Sequence, residues 1–236
     1  TATFAIDTHE LTVTSADEIM GTVTGSGTYD YNSSVTIKAT PKTGYHFVKW
    51  DDDDTNASRS VTITGDAAYM ATFEANSYDI TVLSVDESTG TVSGSGSYKY
   101  ATTQTISATP VEHYHFQKWN DGNTENPRSI TIAGTATYTA TFVLDTFALA
   151  ITVNDATMGT TSGSGGYAYN SSAIAQATPN YGYVFKKWND GNTDNPRSVV
   201  ITQNTNYVAN FVLDTFNITA SSNDVEKGTV TGSGKY

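Results

Sequence analysis

The chain has 236 residues, no cysteine, and 12 Lys and Arg against 24 Asp and Glu, for a net charge of −12. Without thiols there are no disulfide staples, thiolate metal sites or cysteine nucleophiles. The acidic balance argues against nucleic acid or an anionic membrane as partner, since either calls for a basic patch. No apolar run reaches the roughly 18 residues of a membrane-spanning helix, so no membrane insertion is expected in this segment.

The first four residues, Thr-Ala-Thr-Phe, already belong to a pattern. Phe4 precedes Phe73 by the 69 residues that also separate Phe73, Phe142 and Phe211. Trp50, Trp119 and Trp188 keep the interval, as do Gly21, Gly90, Gly159 and Gly228, and Arg59, Arg128 and Arg197. A period this long without insertions marks tandem modules in which shape comes ahead of chemistry. Residues 1–4 read as the tail of a preceding repeat, 9–73, 78–142 and 147–211 as repeats 1 to 3, and 216–236 as the start of a truncated fourth. The chain therefore reads as an excerpt of a longer array, and further copies of the same repeat are its first expected partners.

Repeat 2 shows the elements in order. Tyr78, Ile80 and Val82 alternate with polar residues, the period of a half-buried strand. After a polar turn, residues 91–100 carry Gly94 and Gly96, which predicts a strand bent by a bulge or opening into a loop. A third strand, 105–109, stops at Pro110. A fourth, 113–119, should turn Tyr114, Phe116 and Lys118 one way and His115, Gln117 and Trp119 the other. Residues 120–127 are turn chemistry throughout, with Asp121-Gly122 as a hairpin signal. Residues 128–132 and 137–142 close the unit.

The expected fold is all-β, about five or six short strands per repeat, β-grasp-like or sandwich-like. Linkers of about four residues (74–77, 143–146 and 212–215) lack a Gly/Ser run and should bend little. They predict a rod-like array that advances roughly 30 to 40 Å per repeat.

Four motifs recur in fixed order: Gly-Thr-Val-Thr-Gly-Ser-Gly-x-Tyr (21–29), Ala-Thr-Pro (39–41), Gly-Tyr-x-Phe-x-Lys-Trp (44–50 and 182–188) and Asn-Asp-Gly-Asn-Thr-Glu/Asp-Asn-Pro-Arg (120–128 and 189–197). With them the chain resembles the divergent InlB B-repeat family of bacterial surface proteins. The resemblance implies a small β-rich module strung in tandem in long secreted or cell-surface proteins, acting as stalk or adhesive segment. Repeat 1 departs from the pattern: its turn reads Asp-Asp-Asp-Asp-Thr-Asn-Ala-Ser-Arg (51–59), without Asp-Gly or Asn-Pro. In repeat 2, His113 stands where repeats 1 and 3 have Gly44 and Gly182.

Candidate sites are few. Asp121, Asn123 and Glu125, matched by Asp190, Asn192 and Asp194, place oxygens at alternate positions around a glycine, as calcium loops do. A plain Asn-Asp-Gly turn accounts for the same residues, and calcium is the one cofactor with any candidate ligands. Tyr29/Tyr31, Tyr98/Tyr100 and Tyr167/Tyr169 could offer aromatic faces to sugar rings, or pack across strands. The tryptophans are expected in the core, with the arginines stacked on them. Thr146 and Thr215, each after an Asp in a linker, are candidate glycosylation positions. The four histidines have no counterpart in repeat 3, and no nucleophile elbow is present, so no catalytic residue is assigned.

The expectation that follows is a non-enzymatic stalk or fibre segment, extracellular or on the cell surface, that presents a terminal domain. The alternative is an adhesin binding glycan or host protein through its tyrosines and acidic turns. Lateral self-association through edge strands is a third expectation.

Overall fold

The computed structural model describes all of residues 1–236, without a helix. Repeat 1 has seven strands: β1 (Thr8–Ser15), β2 (Gly21–Thr24), β3 (Gly27–Asp30), β4 (Ser34–Pro41), β5 (Tyr45–Trp50), β6 (Ser58–Thr62) and β7 (Ala67–Ala75). They form a four-stranded sheet, β3-β1-β7-β5, and a three-stranded sheet, β2-β4-β6. In the larger sheet β1 and β7, the first and last strands, lie parallel. The alternating residues Leu11, Val13, Ile37, Ala39, Val61, Ala71 and Phe73 come from both sheets and meet around Trp50, making a small sandwich with one core.

Repeat 2 reproduces this with β8 (Ser77–Ser84), β9 (Gly90–Ser93), β10 (Gly96–Lys99), β11 (Thr103–Pro110), β12 (Tyr114–Trp119), β13 (Arg128–Thr131) and β14 (Ala136–Leu144). Repeat 3 does so with β15 (Thr146–Val153), β16 (Gly159–Ser162), β17 (Gly165–Ala168), β18 (Ser172–Pro179), β19 (Tyr183–Trp188), β20 (Arg197–Val200) and β21 (Thr205–Leu213). A last pair, β22 (Asn217–Ile218) and β23 (Gly234–Lys235), is antiparallel. By contacts the chain forms two compact units, Thr1–Glu112 with Phe116–Val143, and His113–His115 with Leu144–Tyr236. Unit 1 holds the first two sets of sheets, and unit 2 the third set and the last pair.

Four sequence expectations are revised. Each repeat has seven strands rather than five or six, because the glycine-rich run is two strands in different sheets: β9 pairs with β11, and β10 pairs with β8. Second, Phe and Trp of the fourth strand share a face. A register shift between Phe47 and Lys49, repeated between Phe185 and Lys187, inserts one residue and turns the tryptophan back toward the core. The Phe116 and Trp119 rings accordingly lie 5.2 Å apart.

Third, the Asp-Gly loop is no hairpin. It carries the chain from β12, in one sheet, to β13, in the other. Finally, the linkers are shorter than four residues. Strand pairing runs to Ala75 and resumes at Ser77, leaving Asn76 alone; Asp145 alone separates β14 from β15.

Candidate functional site

The loop that follows each tryptophan is the most polar recurrent feature, and its geometry is that of a lid. The Trp50, Trp119 and Trp188 side chains are fully buried. Each indole N–H donates to a loop carbonyl, that of Asn56 (2.9 Å), Glu125 (2.9 Å) or Asp194 (2.8 Å). A large aromatic can thus fill a small core without stranding its one polar atom.

Asp121 accepts from the Asn123 amide and from Arg128, whose Nη1 lies 2.9 and 2.8 Å from its two carboxylate oxygens. Asp190 repeats this with Asn192 and Arg197. Asn123 and Asn192 accept from the amides of Glu125 and Asp194. Of the six candidate calcium ligands, Asp121, Asn123, Asp190, Asn192 and Asp194 have side chains engaged as turn or ion-pair groups, while Glu125 takes part through its backbone, and no three acidic or histidine side chains converge on one point.

Desolvation opposes the charge on Asp121 and Asp190, but the guanidinium and the loop amides outweigh it and hold both carboxyls below the usual range. In repeat 1, where Asp54 replaces the Asn, Arg59 bridges Asp52 (2.6 Å) and Asp54 (3.0 Å). The Asn56 amide, then Arg59, hold Asp54 low. Arg59 does lie over Trp50, at 5.7 Å, as expected, but it sits nearer Tyr69, at 4.8 Å. Arg128 and Arg197 stack on Tyr138 and Tyr207 at 5.0 and 4.2 Å.

The tyrosine pairs divide by role. Tyr29, Tyr98 and Tyr167 are half-buried, and each hydroxyl donates to the carbonyl of Gly25, Gly94 or Gly163 four residues back. They pin the glycine bend. Tyr31, Tyr100 and Tyr169 follow at the next turn: Tyr31 is exposed at 55%, Tyr100 packs on Tyr45 at 5.3 Å, and Tyr169 stacks on His113 at 3.6 Å. Thr146 opens β15 and is exposed, as is Thr215.

Two residues carry the fold in ways that alternation does not announce. Ser95, inside the glycine bend, accepts from the Val82 N–H (2.8 Å) and donates to the Val82 carbonyl (3.4 Å). Ser26, Ser164 and Ser233 do the same to Val13, Ile151 and Ala220. The hydroxyl replaces a backbone partner where the strand changes sheets. Asn126 likewise pairs with both backbone groups of Ala108, at 2.9 and 2.6 Å, and Asn195 with those of Ala177. In repeat 1 the Ala57 carbonyl accepts from the Ala39 amide instead, and β6 starts one residue earlier.

The family profile of the divergent InlB B-repeat domain matches residues 11–77, 80–146 and 149–215. The chain belongs to this family. Its B-repeats are those of a bacterial surface-protein repeat family, and they point to a non-enzymatic repeat protein. No curated protein matches the chain. Among solved structures it is similar to one described as the Bacillus anthracis TIE protein, at 10% identity and a TM-score of 0.34, over 87% of this chain and 50% of that one. In each complete B-repeat the motif residues serve the module: Gly-Ser-Gly-x-Tyr makes the sheet change, and Asp-x-Asn, or Asp-x-Asp in repeat 1, makes the lid with Arg. The fixed recurrence of Ser95 and Asn126 was the available signal for their importance.

Proposed function

We propose that the B-repeats act as a spacer, a stalk segment of a secreted or cell-surface protein that holds another domain at a set distance. The observation that carries this is the joint in unit 1. A single residue, Asn76, separates the last strand of repeat 1 from the first of repeat 2, and its backbone is bonded on both sides. Its N–H donates to the Gly44 carbonyl (2.8 Å), and its carbonyl accepts from the Tyr100 amide (2.8 Å). A connection of one residue with both polar groups paired has little freedom to bend, so reach should follow repeat number.

The adhesin reading has less support, because most of the tyrosines and acidic turns it would use are engaged within the fold, Tyr31 being the exposed exception. Three of its tyrosines, Tyr29, Tyr98 and Tyr167, pin glycine bends, and Asp121 and Asp190 hold arginines. Thr146 and Thr215 retain the exposure a glycan would need.

The test places the chain between a surface anchor and a binding domain of known ligand. Each added 69-residue repeat should move ligand capture outward by an equal increment and leave affinity unchanged. Increments that vanish, or capture of glycan or host protein by the repeats themselves, would sink the spacer reading.

A further inference from the structure

The joint in unit 1 is built from side chains as well as backbone. Gly44 has a φ of +86°, and a Cβ placed there would clash with the Tyr100 ring. Tyr100 closes over this glycine, edge-on to Tyr45 (5.3 Å) and Tyr78 (6.3 Å). Lys99 donates to the Ala75 carbonyl at 3.0 Å and lies 3.9 Å from Glu74, while His46 Nδ1 is 2.8 Å from the Asn76 side-chain oxygen.

In unit 2 the equivalent pair is different. His113, also at positive φ (67°), stacks flat on Tyr169, with centroids 3.6 Å apart and an interplanar angle of 17°. Two neighbouring contacts are kept, the Asp145 amide donating to the His113 carbonyl and His115 Nδ1 lying 2.7 Å from Asp145, while Ala168 stands where Lys99 does. One position thus selects between two ways of seating the same tyrosine, a glycine socket or an imidazole plate.

We infer that Gly44 with Tyr100 is the coupling element of the first two repeats, and that it makes them unfold as one cooperative body. The physical reason is nearest-neighbour coupling. When the interface between repeats contributes to stability, opening one strips the other of contacts, as in stacked repeat arrays. The inference concerns coupling alone and stands whether the chain spaces or binds.

Native-state hydrogen exchange of the full chain against denaturant tests it, read on peptides from β4 and β11. In the parent both should open in one transition with a shared midpoint and a common slope, because the surface exposed is that of both repeats. Tyr100→Ala and Gly44→Val should split the midpoints and cut each slope to about half, with both repeats still protected in the absence of denaturant. Tyr100→Phe should behave as the parent, and Gly44→His should keep coupling by rebuilding the stacked pair.

Separate midpoints in the parent would overturn the inference, as would a shared transition and slope that survive both disruptive changes. Splitting by Gly44→His as large as by Gly44→Val would overturn the two-way seating. If Tyr100→Ala leaves a repeat unprotected at zero denaturant, Gly44→Val alone decides, since Gly44 lies outside the strands.

Discussion

Trp119 and Asp121 are two residues apart and answer to different physics. The indole is wholly enclosed and fills the space between two thin sheets, so Trp119→Ala should cost about 3 to 5 kcal/mol. A module of this size has roughly 3 to 10 kcal/mol in total, so the coupled repeats 1 and 2 should lose a large part of their shared stability, with exchange protection falling in β4 and β11 together. Asp121 acts through charge. Its folded-state pKa lies below its unfolded value, so its contribution is full above about pH 4 and is lost as pH falls through the lower, folded value. Acid titration of Asp121→Asn should therefore show a shallower loss of repeat-2 stability below about pH 4 than the parent, with little change in slope near neutrality. An unchanged acid limb would mean that the Arg128 pair contributes nothing. The tryptophan's burial was legible in the sequence, because a small domain has one place for such a ring. The partner of Arg128 was not, since a turn aspartate and a core-flanking arginine are brought together only when the lid closes.

At the scale of the strand, the informative break is Gly94-Ser95. Alternation identified the flanking residues as extended, yet it says nothing about which neighbour each half pairs with, and a glycine at positive φ lets the chain leave one sheet for the other. Ser95 then supplies the hydrogen bonds that Val82 would lose at the crossing. Ser95→Ala should cost about 1 to 3 kcal/mol by leaving both Val82 groups unpaired, seen as a lower denaturant midpoint for repeat 2. Asn126→Ala should cost a similar amount through Ala108. Repeat 1 contains its own comparison, since it lacks this Asn and makes the bond from the Ala57 backbone. Removing Asn126 can therefore be partly offset wherever β13 is able to grow backward by one residue. A midpoint unmoved by Ser95→Ala would show that water replaces the hydroxyl without penalty. The same locality explains the error over Phe116 and Trp119: strict alternation places them on opposite faces, and one inserted residue cancels that.

For the whole molecule, the period of 69 residues is repeated as three sets of sheets, each closing on its own tryptophan, with a one-residue connection between successive sets. No helix is long and apolar enough to cross a membrane. Within unit 1, Asn76 makes repeat 1 and repeat 2 share backbone hydrogen bonds, and this carries the spacer proposal: if joints are bonded rather than loose, displaced distance per added repeat should be constant. The joint residues also decide what the second tyrosine of each pair is for. Tyr100 and Tyr169 are spent on Gly44 and His113, whereas Tyr31 keeps about half its surface in water.

Period, all-β class, core tryptophans and family were readable from the chain because each depends on local alternation, composition or recurrence, which survive in one dimension. Sheet membership, the lid over the indole and the seating of Tyr100 against Gly44 became visible only in three dimensions. Each depends on groups far apart in sequence meeting at hydrogen-bonding or van der Waals distance, and a serine, an asparagine or a glycine looks the same in a sequence whether or not such a partner arrives.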